Sequence, residues 1–275
     1  MNTVTIRGTR IAYTDTQPAG RAKGTILALH SLFLDQSIFD PYVVPCVQAG
    51  YRFLSYDLRG QGLSSASTES SSEELSITSG ADDAAALIEH FDAGPCILFG
   101  SSQGAMIALE MSFRRPELVR SVIAVGASAE EEEENQRARF AAALDRIADL
   151  GPAAEIETLS WVMLGDTSPR ENPEMVRRMR ERMCRLPHDI ARVARAVIDR
   201  PRILEDLRGC HVPVWALGGP EDHTYTPPIS TKTIADAIPN GLGKFMEIPG
   251  AGHSAVIEQP DQVLEQVLRH LAAVA

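Results

Sequence analysis

The sequence has no long apolar stretch. None of its windows approaches the roughly 18 consecutive apolar residues that a transmembrane helix needs. Residues 1–15 (MNTVTIRGTRIAYTD) alternate polar and apolar side chains, unlike the continuous apolar core of a signal peptide. We therefore expect a cytoplasmic protein that has no membrane partner.

The sequence is also poor in cysteine, and it lacks the common motifs that bind metals or nucleotides. The cysteines are Cys46, Cys96, Cys184 and Cys210. They form no C-x-x-C pair, which argues against a zinc or redox site. No H-E-x-x-H motif, Walker loop or G-x-G-x-x-G after a strand is present. We expect neither a metal ion nor an organic cofactor.

Basic residues are outnumbered by acidic ones. The chain has 26 lysines and arginines against 37 aspartates and glutamates, which gives a formal net charge of −11. Such a surface repels phosphate backbones, so we expect a small-molecule partner and no nucleic acid. The acidic run Glu130–Glu134 is interpreted as a solvated helix start whose carboxylates complement the helix dipole. The serine-rich segment Ser64–Glu74 is interpreted as a flexible surface loop.

The chain does contain a series of short apolar runs separated by helical segments. Residues 3–6 and 11–13 alternate around Gly8 and predict a β-hairpin. The later runs suit strands buried on both faces, and they span residues 25–30, 53–57, 96–100, 121–126, 212–219 and 244–250. Helical segments are predicted at residues 82–91, 106–114 and 260–273. This alternation predicts a mostly parallel, doubly wound α/β sheet.

One interval interrupts the alternation. It has no convincing strand, and it holds two amphipathic helical stretches at residues 137–150 and 174–186. We therefore predict a core formed by residues 1–129 and 207–275, with residues 130–206 as a helical cap. Such a cap would lie over the carboxyl ends of the strands, where open α/β sheets bind ligands.

The segment Gly100-Ser101-Ser102-Gln103-Gly104 has the spacing G-x-S-x-G and lies between a predicted strand and a predicted helix. A sharp turn at this point raises the central serine above the sheet edge, and the glycines let neighbouring backbone approach closely. The start of a helix also favours developing negative charge. Ser102 is therefore the candidate nucleophile.

A serine hydroxyl needs a base within hydrogen-bond reach. His253 lies in a glycine-rich loop after the last predicted strand, and it is the candidate base. His30 ends an early strand and lies near the same sheet edge. His90 and His270 fall on predicted helices and are expected at the surface.

The base in turn needs a carboxylate that orients it. Asp222 follows another predicted strand and is the candidate acid. Its neighbour Glu221 remains an alternative, as does Glu130, which follows an earlier strand.

The chain order of nucleophile, acid and base resembles that of the α/β-hydrolase fold family, as do the predicted sheet and the sharp turn at Ser102, which is called the nucleophile elbow in that family. Residues 30–32 (HSL) are similar to the H-G-x oxyanion loop of that family, residues 56–64 (YDLRGQGLS) to its D-x-R-G-x-G-x-S segment, and residues 250–254 (GAGHS) to its histidine loop. Gln103 stands where a methionine is more frequent, and Ser31 where glycine is common. The resemblance spans nearly the whole chain and implies the α/β-hydrolase fold with a cap insertion.

The resemblance also implies roles for individual groups. The backbone N–H groups of Leu32 and Gln103 would form the oxyanion hole. Asp57 and Arg59 would have structural roles.

The implied activity is that of a serine hydrolase that cleaves a small apolar carboxylic ester or lactone through an acyl-enzyme on Ser102. The chain is most similar to the esterase and 3-oxoadipate enol-lactonase-like branch. A C–C bond hydrolase, an acyltransferase or polyketide-processing enzyme, and a non-catalytic ligand receptor remain alternatives, and a homodimer remains open. The candidate pocket residues are His30, Trp161, Met163, Leu164 and Met179.

Overall fold

The computed structural model describes residues 1–64, 75–225 and 229–275. The predicted serine-rich loop therefore lies, after Ser64, outside the described residues. The strands are β1 (Asn2–Ile6), β2 (Thr9–Thr16), β3 (Thr25–Leu29), β4 (Arg52–Tyr56), β5 (Cys96–Ser101), β6 (Val119–Val125), β7 (Val214–Gly218) and β8 (Gly243–Glu247). They form one sheet in the order β1-β2-β4-β3-β5-β6-β7-β8.

The sheet is mostly parallel. β1 and β2 form the predicted hairpin, β2 pairs antiparallel with β4, and every later pair is parallel. All residues of β3, β5 and β7 are buried, because helices cover both faces of the sheet. The predicted doubly wound α/β sheet is thus confirmed, with strand ends displaced by up to three residues.

The helices are α1 (Asp40–Gln48), α2 (Ile77–His90), α3 (Gln103–Arg114), α4 (Glu134–Leu150), α5 (Ile156–Met163), α6 (Ser168–Glu171), α7 (Pro173–Cys184), α8 (Ile190–Ile198), α9 (Leu204–Leu207), α10 (Ile229–Ala237), α11 (Ala255–Glu258) and α12 (Pro260–Ala273). α2 begins five residues before the predicted start, because Ser76 and Ser79 form a reciprocal capping box there. In the described part of the chain, no helix combines the length and the apolar character needed to cross a bilayer.

The chain between β6 and β7 consists of helices α4 to α9 and their connections, with no strand among its residues, all of which are described. The apolar faces of α4 and α8 turn inward, with Leu144 and Ile147 on one helix and Val193 and Val197 on the other. This helical layer shares a cavity with Ser102, which directly follows β5. The layer therefore lies over the edge of the sheet at which β5 ends.

The surface position predicted for His270 is wrong, although His90 is exposed as expected. His270 lies on the inner face of α12, where its Nε2 is 2.7 Å from Ser121 Oγ and its ring packs nearly perpendicular to that of Trp215. Burial, with a smaller effect of the Lys244 charge, lowers the pKa of His270 to about 4. The ring is therefore a neutral core group.

Candidate active site

Ser102 occupies a strained turn between β5 and α3. Its φ is +51° and its ψ is −114°, a backbone conformation that residues other than glycine rarely adopt. A Cβ atom at Gly100 would lie 2.5 Å from the backbone nitrogen of Ala105, and one at Gly104 would lie 2.0 Å from the carbonyl oxygen of Leu29. The two glycines of the motif are therefore required by backbone packing on both sides of the serine.

The structure brings Ser102, His253 and Asp222 into one hydrogen-bonded chain. His253 Nε2 is 2.7 Å from Ser102 Oγ, and His253 Nδ1 is 2.9 Å from Asp222 Oδ2. Because a carboxylate only accepts hydrogen bonds, Nδ1 carries the proton and Nε2 accepts from the serine hydroxyl. All three side chains are buried.

Asp222 is fixed by its own turn. Its Oδ1 accepts hydrogen bonds from the N–H groups of Thr224 (2.8 Å) and Tyr225 (3.0 Å), which leaves Oδ2 for the histidine. The alternative acids are engaged elsewhere. Glu221 binds the backbone N–H and hydroxyl of Thr167, whereas Glu130 forms an exposed ion pair with Arg202.

Several charges act on His253. Burial lowers the pKa of His253, but the charge of Asp222 and its hydrogen bond outweigh this effect, and the charge of Glu258 acts in the same direction. Arg200 acts in the opposite direction. The net result is a pKa above the usual value for histidine. The groups around His253 therefore stabilise its protonated form, which suits a base that takes up a proton during a reaction.

Glu258 is a buried carboxylate that sequence reasoning missed. Its Oε1 accepts hydrogen bonds from the N–H groups of Gly252 (2.9 Å) and Ser254 (3.1 Å), and its Oε2 accepts from Gly165 N–H and Ser168 Oγ, both at 2.7 Å. Burial raises the pKa of Glu258, although these four hydrogen bonds oppose the effect. One side chain thus ties the helical layer to the loop that carries the candidate base.

His30 lies beneath the candidate oxyanion loop, so its prediction as a pocket residue is corrected. The N–H of Leu58 donates to Nε2 of His30 at 2.8 Å, so the ring proton is on Nδ1, which donates to the carbonyl oxygen of Ser31. Burial lowers the pKa of His30 to about 4, against the opposing charge of Asp57. A neutral His30 therefore holds the backbone just before Leu32.

The two candidate oxyanion donors come from different parts of the chain. Leu32 follows β3 and lines the cavity above Ser102, and Gln103 is the first residue of α3. Within the described residues, no hydrogen bond is formed by the backbone N–H of either residue. Both donors are thus available to a ligand.

The cavity above Ser102 is small and mostly apolar. Its volume is about 70 Å³, room for about two water molecules at liquid density, or for a short acyl chain. The residues of α4, α5 and α8 that line it are Phe140, Ala143, Leu144, Ile147, Thr158, Leu159, Val162, Met163, Ala194, Val197 and Ile198. The apolar spacing of Phe140, Leu144 and Ile147 on α4 is a sequence signal that could have identified this wall.

Among the other predicted pocket residues, Met163 lines the cavity, whereas Trp161, Leu164 and Met179 do not. Trp161 is 52% exposed on the outer face of α5, where it stacks on His223. Leu164 is buried in the core, and Met179 lies in a separate groove beside α7. The orientation of each helix decides whether its side chains face the cavity, and the amino-acid composition does not reveal that orientation.

The solvated position predicted for the acidic run is wrong at Glu132. This residue lines the cavity and forms an ion pair with Arg200 at 2.8 Å, with each side chain 4% exposed. The guanidinium of Arg200 also lies over the ring of Tyr225, which packs at a steep angle against the ring of His253. The charge at this wall of the cavity is therefore balanced internally.

The fold and the site together define the class of protein. Residues 26–266 match the model of the alpha/beta hydrolase family, so the chain belongs to this family, as its motifs indicated. BpoC of Mycobacterium tuberculosis, named as a candidate non-heme bromoperoxidase, is 30% identical over 254 residues, which cover 85% of this chain and 88% of BpoC. A crystal structure of BpoC has a TM-score of 0.80 and covers 96% of both chains.

Two further solved structures share the fold. An esterase from Thermogutta terrifontis has a TM-score of 0.87 at 22% identity and covers 99% of this chain and 98% of its own. The enol-lactonase from Burkholderia xenovorans LB400 has a TM-score of 0.87 at 20% identity, with 98% and 100% covered. The predicted α/β-hydrolase fold is thus confirmed.

Proposed function

We propose that this hydrolase cleaves a short, uncharged carboxylic ester or lactone through an acyl-enzyme on Ser102. The observation that carries the proposal is the unbroken hydrogen-bonded chain from Ser102 Oγ through His253 to Asp222, located at a strained elbow beneath a cavity. This arrangement activates a serine that otherwise is a weak nucleophile.

The proposed reaction has two stages, acylation and hydrolysis. Ser102 Oγ attacks the carbonyl carbon while its proton passes to His253 Nε2, and Asp222 stabilises the imidazolium. The N–H groups of Leu32 and Gln103 bind the oxyanion. Collapse of this intermediate expels the alcohol, which takes the proton from Nε2. Water then attacks the acyl-enzyme with His253 as base again, releasing the acid and restoring the serine.

The cavity supports a neutral and short acyl group. Its described wall carries no basic side chain besides His253, and the charge of Glu132 is matched by Arg200. An acyl chain that bears a carboxylate would lose its hydration without gaining a cationic partner, which is costly in an apolar cavity. A cavity of this volume favours a short acyl chain over a long one.

Three 4-nitrophenyl esters test this proposal: the butyrate, the octanoate and the monoester of glutaric acid, which carries a carboxylate at the far end. We expect kcat/KM for the butyrate to exceed both others by more than about tenfold. Equal rates for the butyrate and the glutarate would contradict the neutral substrate class. Cleavage of a vinylogous diketone without cleavage of any ester would instead identify a C–C bond hydrolase.

A further inference from the structure

The two candidate oxyanion donors lie on separate loops, and one buried side chain connects these loops. Gln61 Oε1 accepts a hydrogen bond from the N–H of Phe33 at 3.1 Å, directly after Leu32. Gln61 Nε2 donates to the side-chain Oε1 of Gln103 at 2.9 Å. The side chain of Gln61 therefore bridges the residues that carry or adjoin both donors.

The orientation of the Gln61 amide is determined by its partners. The backbone N–H of Phe33 can only donate, so the oxygen of the Gln61 amide must face it. The amino group of the same amide then faces Gln103, whose Oε1 accepts. Gln61 and Gln103 are both buried, so water does not substitute readily for either bond.

The bridge also supports a strained residue. Phe33 has a φ of +65°, a left-handed conformation that a bulky residue keeps only where its surroundings impose it. The hydrogen bond from Phe33 to Gln61 is one such constraint, and it acts on the residue next to Leu32.

Gln61 itself stands on a rigid loop. The Asp57 carboxylate accepts hydrogen bonds from the N–H groups of Gln36 and Leu63. A Cβ atom at Gly62 would lie 2.4 Å from that carboxylate. The backbone of the loop therefore packs so closely against the Asp57 carboxylate that no side chain fits at position 62. The bridge therefore extends from a fixed base.

We infer that Gln61 is a positioning residue that sets the placement of the two oxyanion donors relative to each other. This inference rests on the proposed function, because it assigns a role within that reaction. Gln61 acts through Phe33 and Gln103 and does not touch the substrate. An oxyanion hole depends on donors held in place before charge develops, so a broken bridge weakens binding of the transition state more than binding of the substrate.

The experiment compares the wild-type chain with Gln61→Met, Gln103→Met and the double variant. The readouts are kcat and KM for 4-nitrophenyl butyrate, and the rate at which a fluorophosphonate modifies Ser102. We expect Gln61→Met to lower kcat and the modification rate on the order of 10- to 100-fold, with KM within about twofold. We expect the double variant to be no slower than the slower single variant, because both substitutions break the same bridge.

Gln36→Met is the matched control. Gln36 is another buried glutamine, and its side chain contacts Ser55 and Ala12 without reaching Phe33 or Gln103. We expect Gln36→Met to lower Tm with kcat unchanged. Three results would overturn the inference and leave the proposed function standing. They are an unchanged kcat in Gln61→Met, a change confined to KM, and additive losses in the double variant. A wild-type chain that neither reacts nor turns over the ester would contradict the proposed function, and the inference with it.

Discussion

The carboxylate of Glu258 holds the backbone on both sides of His253. One oxygen accepts from the residues immediately before and after the histidine, and the other reaches Gly165 and Ser168 in the helical layer. Movement of that layer and placement of the candidate base are therefore coupled through one buried side chain.

Glu258→Gln is expected to extend activity to lower pH. The charge of Glu258 contributes to the raised pKa of His253, so its removal lowers that pKa. The base acts only when neutral, and a lower pKa keeps it neutral at lower pH. The acid limb of the kcat/KM profile should therefore move to lower pH. The plateau of kcat should fall roughly tenfold, because a glutamine cannot accept all four hydrogen bonds.

Glu221→Gln is the matched control for this measurement. Glu221 also binds the helical layer, through Thr167, but it does not contact the residues that flank His253. Its variant should leave the acid limb unmoved. An equal displacement of the limb in both variants would show that the effect comes from loosening of the helical layer.

Asp222→Asn should lower kcat/KM by about 10⁴, because an amide can no longer hold the protonated form and tautomer of His253. Glu130→Gln should change it by less than about twofold, since Glu130 forms a surface ion pair with Arg202. Steady-state kinetics on both variants checks this assignment. A severe loss in the Glu130 variant with a mild one in the Asp222 variant would reverse it.

Gly104→Ala should destabilise the fold strongly. The added Cβ would lie 2.0 Å from the carbonyl oxygen of Leu29, at the end of β3, which is buried and paired with a strand on each side. We expect a loss of about 3 kcal/mol or more in the free energy of unfolding, measured with denaturant. Gly20→Ala, whose added atom meets nothing within 4 Å, should stay within about 0.5 kcal/mol of wild type.

The ion pair of Glu132 and Arg200 gives a prediction about stability. Glu132→Leu leaves a buried guanidinium without its partner and should cost about 3–5 kcal/mol. The double variant Glu132→Leu/Arg200→Met should recover most of that loss, because both charges are then absent. Denaturant unfolding of the two variants tests this, and a double variant less stable than the single one would contradict it.

The turn at Ser102 and the strand pattern could be predicted from the sequence, because both depend on the packing and burial of short segments of the chain. The glycines around Ser102 are required because an added Cβ would lie within 2.5 Å of neighbouring backbone, and a parallel strand buried on both faces, such as β5, is mostly apolar. A short motif therefore carries enough information to locate the nucleophile, and the histidine loop is similarly compact.

The supporting residues were not readable, because their roles depend on contacts between distant parts of the chain. Glu132 and Arg200 are 68 positions apart, and the acidic run around Glu132 has the pattern of a solvated helix start. Trp161 and Met163 are two positions apart on α5, yet one faces outward and the other lines the cavity. The orientation of a helix in the tertiary structure decides such cases.

The most direct test of Ser102 as the nucleophile is the intact mass of the protein after treatment with a fluorophosphonate, measured on the wild-type chain and on Ser102→Ala. An activated Ser102 should give one adduct on the wild-type chain and none on the variant, with both chains folded by circular dichroism. A folded wild-type chain without an adduct, or an adduct that persists in the variant, would contradict an activated Ser102.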